Sequence, residues 1–286
     1  YATYDGIREV SMDALMLENM EITFVVAEKQ ICAILLTEPA KIENIRVLLL
    51  DNDNMFRSDV SLVSDVPVHL YYGETETVLE AGSVITASNY ANILATSSVS
   101  LAAEDGTSPF YFTDNQGNRI SPAYAGSMEL RMYPEGYTVV NVVDLESYVK
   151  GVIPSEVPSS YGMEALKAQA VCARSYAYIQ MMHNKYEAYG AHVDDSVNFQ
   201  VYNKQNQTPE TVAAVDETKG QVLSYKGDII ETYYSSTSYG HTGDYEAWNL
   251  DKDAYGYLQG VWVRSEENPI DLSDEKSFLD YISNVD

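Results

Sequence analysis

The run Val152-Ile153-Pro154-Ser155-Glu156-Val157-Pro158 constrains this chain more than any other. It sets one carboxylate between two prolines, where the backbone has few ways to move. A long amphipathic pattern follows at once, so the carboxylate stands just ahead of a helix that can be buried. A Glu held this way and partly desolvated keeps its proton near neutral pH, which makes Glu156 a candidate general acid. A loop Glu pointing into water fits the same spacing, so the surrounding sequence has to separate the two readings.

Around this run the pattern is helical. Asp144 is a good N-cap for a short helix over 145–150, which Gly151 is expected to stop. After the Pro-Ser-Glu-Val-Pro elbow, Ser159 or Ser160 is expected to cap a helix from about 161 to 183. Leu166, Ala170, Ala173 and Ala177 fall on one face of it, and Glu164 suits its first turn. So many alanines on one face imply close approach to a neighbouring element. A helix-like piece follows over 209–217, then strands over 221–225 and 229–234 joined by the turn Lys226-Gly227, and a helical tail over 273–285.

The first half reads differently. Residues 21–26, 30–36 and 45–50 are β-rich runs, the last apolar enough for a buried central strand that Asp51-Asn52-Asp53-Asn54 ends. Short strands continue to about Val143, punctuated by glycines, and Asp105-Gly106 and Asn115-Gln116-Gly117 have hairpin-turn chemistry. The expected fold class is α+β: a β-rich N-terminal half, then helices packed on a small sheet around a groove. Residues 1–43 read as the end of a small β-rich accessory module and 44–286 as one domain, β-rich over 44–143, helix-containing over 144–262, with a tail over 263–286.

With 43 acidic against 17 basic residues, the net charge of −26 argues against non-specific binding to nucleic acid, whose phosphates need a basic counter-surface, and against adhesion to anionic membranes. Cys32 and Cys172 are too few for a disulfide framework, and no bridge between them is expected. Cys172 lies within the helical pattern as a small buried thiol. No apolar run reaches transmembrane length. The chain starts Tyr1-Ala2-Thr3 without an initiator Met, as a processed or trimmed chain would, so its start does not report on export. His69, His183, His192 and His241 are scattered without a Cys cluster, which gives zinc no support. Asp194-Asp195-Ser196-Val197-Asn198 lacks the Gly and terminal Glu of a calcium loop, and no phosphate-binding or dinucleotide fingerprint is present. No metal and no cofactor is expected.

Two further groups stand out. Arg174, on the Ala-lined helix, is placed to clamp Glu156 or a substrate acetamido or hydroxyl group, though it reads equally as an ordinary Arg at a helix edge. Residues 234–242, Tyr-Ser-Ser-Thr-Ser-Tyr-Gly-His-Thr, form a hydroxyl-rich loop suited to hydrogen bonding a sugar. A Ser nucleophile with His241 as base is disfavoured, because no Gly-x-Ser-x-Gly elbow or partnering acid accompanies it. Taken alone, such a loop is more often a polar turn.

Together these blocks resemble the stage II sporulation protein D family, which includes the amidase enhancers. The segments that carry the resemblance are 139–158, 164–177, Asn198-Phe199-Gln200-Val201-Tyr202, 214–223, and the 236–242 loop with Trp248 beyond it. The likeness runs from about Ile45 to Val261, weaker in the β-rich portion. It implies an extracytoplasmic cell-wall enzyme, in the wall or anchored to the outer membrane face of a Gram-positive-type bacterium. Such an enzyme cuts peptidoglycan glycan strands as a lytic transglycosylase, favours strands stripped of stem peptides, and has a peptidoglycan amidase as candidate partner. It also implies Glu156 as the catalytic acid, with Arg174, Gln200, Tyr202, Ser236, Ser238, Gly240, His241 and Thr242 lining the cleft. Two departures stand against the family pattern. Some members hold zinc through two cysteines just before the Gln-Val-Tyr segment, where this chain has Asp195 or its neighbours and Phe199. Tyr239 also stands where a second Gly is usual.

The chemistry is consistent with a single acid. Ordinary glycoside hydrolysis needs two carboxylates across the scissile bond, and here only Glu156 has a rigid setting. It would protonate the glycosidic oxygen and then, as carboxylate, accept the proton of the muramic acid C6 hydroxyl. Such an acid needs its pKa raised by burial. Two rivals stay open: a glycan-binding enhancer of an amidase that cuts nothing, and a hydrolase with Asp195, Asp244 or Glu246 as second carboxylate.

Overall fold

The computed structural model describes residues 2–3, 6–7, 22–27, 30–36, 44–114, 116–235, 241–261 and 274–283. Strands dominate the first half: β1 (Ala2–Thr3), β2 (Gly6–Ile7), β3 (Ile22–Ala27), β4 (Gln30–Leu36), β5 (Asn44–Leu48), β6 (Ser61–Ser64), β7 (Val68–Tyr72), β8 (Thr75–Leu79), β9 (Ile85–Thr86), helix α1 (Ala91–Leu94), β10 (Val99–Ala103), β11 (Phe110–Phe112), β12 (Ser127–Tyr133) and β13 (Gly136–Asp144). Helices dominate the second: α2 (Leu145–Glu156), α3 (Met163–His183), β14 (Val193–Asp194), α4 (Pro209–Glu217), β15 (Ser224–Tyr225), β16 (Asp228–Ile229), α5 (Lys252–Tyr255) and α6 (Glu275–Ser283). The class is α+β, as expected. Residues 1–232 and 233–286 form two compact units. The expected domain boundaries, after 43 and after 262, fall at the margins of undescribed stretches.

In the first unit a seven-stranded sheet runs in the order β14-β5-β13-β12-β10-β7-β8, and a three-stranded sheet in the order β11-β6-β9. All pairs are antiparallel except β14 beside β5. Alternation assigns the faces. Ile45 and Val47 of β5, Met128 and Leu130 of β12, and Val139 and Val143 of β13 share one core with Val149, Val152 and Ile153 of α2 and Leu166, Ala170, Ala173 and Ala177 of α3. The alanine face read from the sequence is therefore the one that packs. Leu48 and Val140 point the other way, into a smaller cluster with Ala191. On that second face Glu129 sits between two guanidiniums, 2.7 Å from Arg46 Nη2 and 2.5 Å from Arg131 Nε. Burial alone would raise the Glu129 carboxyl, but Arg46 and Arg131 outweigh it and hold it below the usual range.

Several local expectations change. Asp144 caps α2, accepting from Ser147 N–H at 3.0 Å. Gly151 does not stop that helix, which continues to Glu156 with Pro154 inside it. The glycine meets a different demand: a Cβ there would lie 2.6 Å from Cε2 of the buried Tyr202 ring. The helix ends instead at Val157, which is extended (φ −134°, ψ 126°) because the next residue is Pro158. Neither Ser159 nor Ser160 caps α3; they lie in a 3-10 turn, and Gly162 at φ 89° starts the helix without a side-chain cap. Asp105-Gly106 turns the chain between β10 and β11, which belong to different sheets, so it makes no hairpin. Lys226-Gly227 does join a hairpin, with strands only two residues long. Asn115 lies outside the described residues, while Thr113 bridges Arg119 across the turn that follows. Cys172 carries a free, half-buried thiol.

Two outcomes follow from packing and burial. Replacing Gly151 with Ala drives a methyl group into a ring that is 2 % exposed and cannot swing aside. Overpacking of this kind costs about 1–3 kcal/mol, so Gly151→Ala should lower the urea midpoint by that equivalent. His192 is buried, and its Nδ1 accepts from Arg46 N–H at 3.0 Å. Burial, then the Arg46 charge, push the imidazole down to about 3. In the unfolded chain it titrates near the ordinary value of about 6.5, so between the two only the unfolded state takes the proton. Stability from this group is complete above that window and falls by about 1.4 kcal/mol per pH unit as pH drops through it. Urea unfolding at pH 6 and pH 4 should show this slope, and His192→Asn should remove it.

Candidate active site

Glu156 is the last residue of α2, at the point where the chain turns out of the helix. Its side chain is half-buried, and Oε1 accepts from Val201 N–H at 2.7 Å. Among the described residues Oε2 makes no hydrogen bond. This arrangement suits both protonation states of a carboxyl group. The carbonyl-type oxygen accepts the amide hydrogen either way, and the second oxygen is left to give or take a proton.

The loop that supplies Val201 is fastened to α2 amide by amide. Asn203 N–H reaches Gly151 O at 3.0 Å, and Lys204 and Gln205 N–H reach Ser155 Oγ at 3.1 and 3.3 Å. Tyr202 N–H goes to Asp195 O at 3.3 Å. Asn203 adopts the left-handed conformation (φ 56°), which Asn tolerates better than most residues, and this turns the loop back along the helix.

The structure separates the expected cleft residues. Tyr202 is buried: its ring stacks on Tyr148 with centroids 4.9 Å apart, and its hydroxyl donates to Asn141 Oδ1 at 2.8 Å. Desolvation pushes that phenol strongly upward. Gln200 is 1 % exposed, with Oε1 accepting from Tyr148 OH at 3.3 Å and Nε2 reaching Ala173 O at 3.4 Å. Both side chains therefore sit beneath the loop and support it, and neither offers its polar end to a ligand. Arg174 does not clamp Glu156. It is 1 % exposed and grips Glu146 with Nε and Nη2, at 2.9 and 2.7 Å, while Nη1 donates to Gln221 O at 2.9 Å. The Glu146 partner could not be read from sequence, since it lies 28 residues away on a different helix. His241 and Thr242 are in the second unit, where His241 Nδ1 meets Thr242 O at 2.7 Å and Thr242 N–H donates to Val261 O at 2.9 Å. Ser236, Ser238 and Gly240 lie outside the described residues.

The carboxylates expected as a second acid, Asp195, Asp244 and Glu246, are engaged, as is Asp194. Asp195, 1 % exposed, accepts from Leu50 N–H at 2.9 Å and pairs with Lys204. Asp194 accepts from Ser196 N–H at 2.8 Å and Tyr186 OH at 2.9 Å. In the second unit Asp244 takes Glu246 N–H at 3.0 Å and Gly260 N–H at 3.2 Å, and Glu246 takes Tyr245 OH at 3.2 Å. Among the described residues no three His, Cys, Asp or Glu side chains converge as metal ligands would.

Residues 133–225, which hold β13, α2, α3 and the 201–205 loop, match the family described as Stage II sporulation protein, SpoIID. This stretch is a SpoIID domain. The chain is similar to an uncharacterised protein of Brachyspira hyodysenteriae, 41 % identical over 139 residues, which covers 48 % of this chain and 37 % of that protein. It is 29 % identical over 232 residues to the amidase enhancer of Bacillus subtilis, covering 66 % of this chain and 32 % of the enhancer. Stage II sporulation protein D of the same organism is 35 % identical over 161 residues, covering 49 % of this chain and 46 % of that protein. The chain thus spans from about a third to just under half of the length of these relatives. The SpoIID match contains Glu156, Arg174, Gln200 and Tyr202 and stops short of His241 and Thr242.

Removing one partner of a buried, hydrogen-bonded ion pair leaves the other uncompensated, at about 3–5 kcal/mol. Arg174→Ala should lower stability on that scale in urea unfolding. A residue that touched substrate would instead weaken ligand affinity and leave the unfolding midpoint in place.

Proposed function

We propose that this chain is a peptidoglycan lytic transglycosylase acting outside the cytoplasmic membrane, in the wall or on the outer membrane face of a Gram-positive-type bacterium. Its substrate is the glycan strand, preferentially strands stripped of stem peptides, and the bond cut is the MurNAc–GlcNAc glycosidic bond. The observation that carries the reading is the setting of Glu156: a half-buried carboxyl with one oxygen fixed by Val201 N–H and the other left for proton transfer. Protonated Oε2 gives its proton to the glycosidic oxygen as the C1–O bond breaks. The carboxylate then takes the proton of the muramic acid C6 hydroxyl as that oxygen bonds to C1. The product is a 1,6-anhydro end, the proton count closes on one residue, and no water is consumed. The burial and pairing of Asp195 favour this over a two-carboxylate hydrolysis that would use it.

A second reading is a glycan-binding protein that stimulates a cell-wall amidase without cutting, supported by the likeness to a relative named amidase enhancer. Mass spectrometry of denuded strands incubated with the chain separates the two. Wild type should release anhydro-ended fragments, and Glu156→Gln should slow release by about 10²–10⁴-fold, the usual contribution of a positioned acid–base group. Hydrated reducing ends would mean a hydrolase. Strands retained by both proteins without fragments would leave the enhancer reading.

A further inference from the structure

The C-terminal half of α2 presents two acceptors ahead of Glu156, and the loop carrying Val201 is built onto them. The carbonyl oxygen of Gly151 takes Asn203 N–H at 3.0 Å, and the Ser155 hydroxyl takes Lys204 and Gln205 N–H at 3.1 and 3.3 Å. Ser155 Oγ also donates to Gly151 O at 3.1 Å. A hydroxyl has one hydrogen to give and two lone pairs to receive with, so this one is used in full. Its orientation is thereby fixed, and so is the register of the loop along the helix. Val201 sits three residues upstream of Lys204, and its N–H meets Glu156 Oε1 at 2.7 Å.

We propose that Ser155 is a positioning residue for Glu156: by accepting the amides of Lys204 and Gln205 it holds the loop where Val201 N–H binds Oε1 and leaves Oε2 aimed at substrate. The inference rests on the transglycosylase reading for its consequence in catalysis, but its structural half stands without that reading. The Ser155 hydroxyl is the acceptor that both amides use. Beside the Gly151 carbonyl and the packing of the Tyr202 ring on Gly151, this hydroxyl takes two of the loop's amides and so helps set the loop's alignment on the helix. A loop shifted by about 1 Å would turn the carboxyl away from its working geometry, which costs up to about a hundredfold in rate.

The test compares Ser155→Ala and Ser155→Thr with wild type on the whole chain. The first removes the acceptor, and the second keeps it. Amide hydrogen exchange by NMR should be faster in Ser155→Ala at Lys204 and Gln205 and, through the loop, at Val201, and near wild type in Ser155→Thr. With denuded strands, kcat for release of anhydro ends should fall roughly ten- to hundredfold in Ser155→Ala with KM little changed, and Ser155→Thr should restore it. Unchanged exchange at Val201 in Ser155→Ala overturns the proposal, as does an unchanged kcat or a loss that Ser155→Thr fails to restore. If wild type itself releases no anhydro ends, the transglycosylase reading falls. Exchange at Val201 then decides the positioning role alone, faster exchange supporting it and unchanged exchange overturning it.

Discussion

The pairing of Arg174 with Glu146 is the constraint on which the helical layer depends. Arg174 comes from the middle of α3 and Glu146 from the first turn of α2. The guanidinium also donates to Gln221 O, in the segment after α4, and Glu146 Oε1 takes Gly220 N–H at 3.1 Å. One ion pair therefore joins α2, α3 and the chain leaving α4. A charge 99 % removed from water is tolerable only with its partner and its remaining N–H groups satisfied, and here both oxygens of Glu146 and three backbone carbonyls share that task. Once the start of α2 is fixed this way and its N-terminus is capped by Asp144 as it leaves β13, the position of its far end, and so of Glu156, follows from the length of the helix.

At that far end the controlling effect is close packing. The Tyr202 ring packs against Gly151 and stacks on Tyr148, one helical turn earlier, with its hydroxyl on Asn141 of β13. The ring carries the start of the loop against both helix and sheet, while the amides of 203–205 read the last turn from above. Val201 is thus held from two sides, by an apolar contact below and hydrogen bonds beside it. This explains how a short irregular segment can supply a directed N–H to a carboxylate.

Legibility in the sequence divides along the same line. Features set by local periodicity were readable: the Asp144 cap, the alanine face of α3, the helix over 209–217, the apolar run that became β5, and the α+β class. Features set by contacts between distant segments were not. Gly151 looked like a helix stop because a glycine in a helical pattern usually is one, whereas it serves the approach of a tyrosine 51 positions later. Likeness to a family assigns Gln200, Tyr202 and Arg174 to a cleft, whereas the structure buries all three side chains. Their polar groups are consumed by Tyr148, Asn141 and Glu146, partners that no spacing rule could have supplied. Glu156 itself was legible as a constrained carboxylate, though the constraint differs from the one read. The prolines do not hold it in a rigid elbow; Pro158 ends the helix one residue after it, and the amide of Val201 does the holding.

The spacing of the Gly-Val-Ile-Pro-Ser-Glu-Val-Pro segment acquires a physical meaning from this. Gly151 and Ser155 are four residues apart and so lie on one face of α2, the face that receives the loop. Glu156 is next in sequence and turns toward the edge of that face, within reach of Val201. Moving the glycine by one position would put a side chain under the Tyr202 ring, and moving the serine would leave two amides without an acceptor. The proline after Val157 ends the helix before another turn could cover the carboxylate. A segment recognisable as a chemical signature is thus also a packing requirement. The two cannot be separated, because the group that would move the proton is placed by the same few residues that stop the helix and seat the loop.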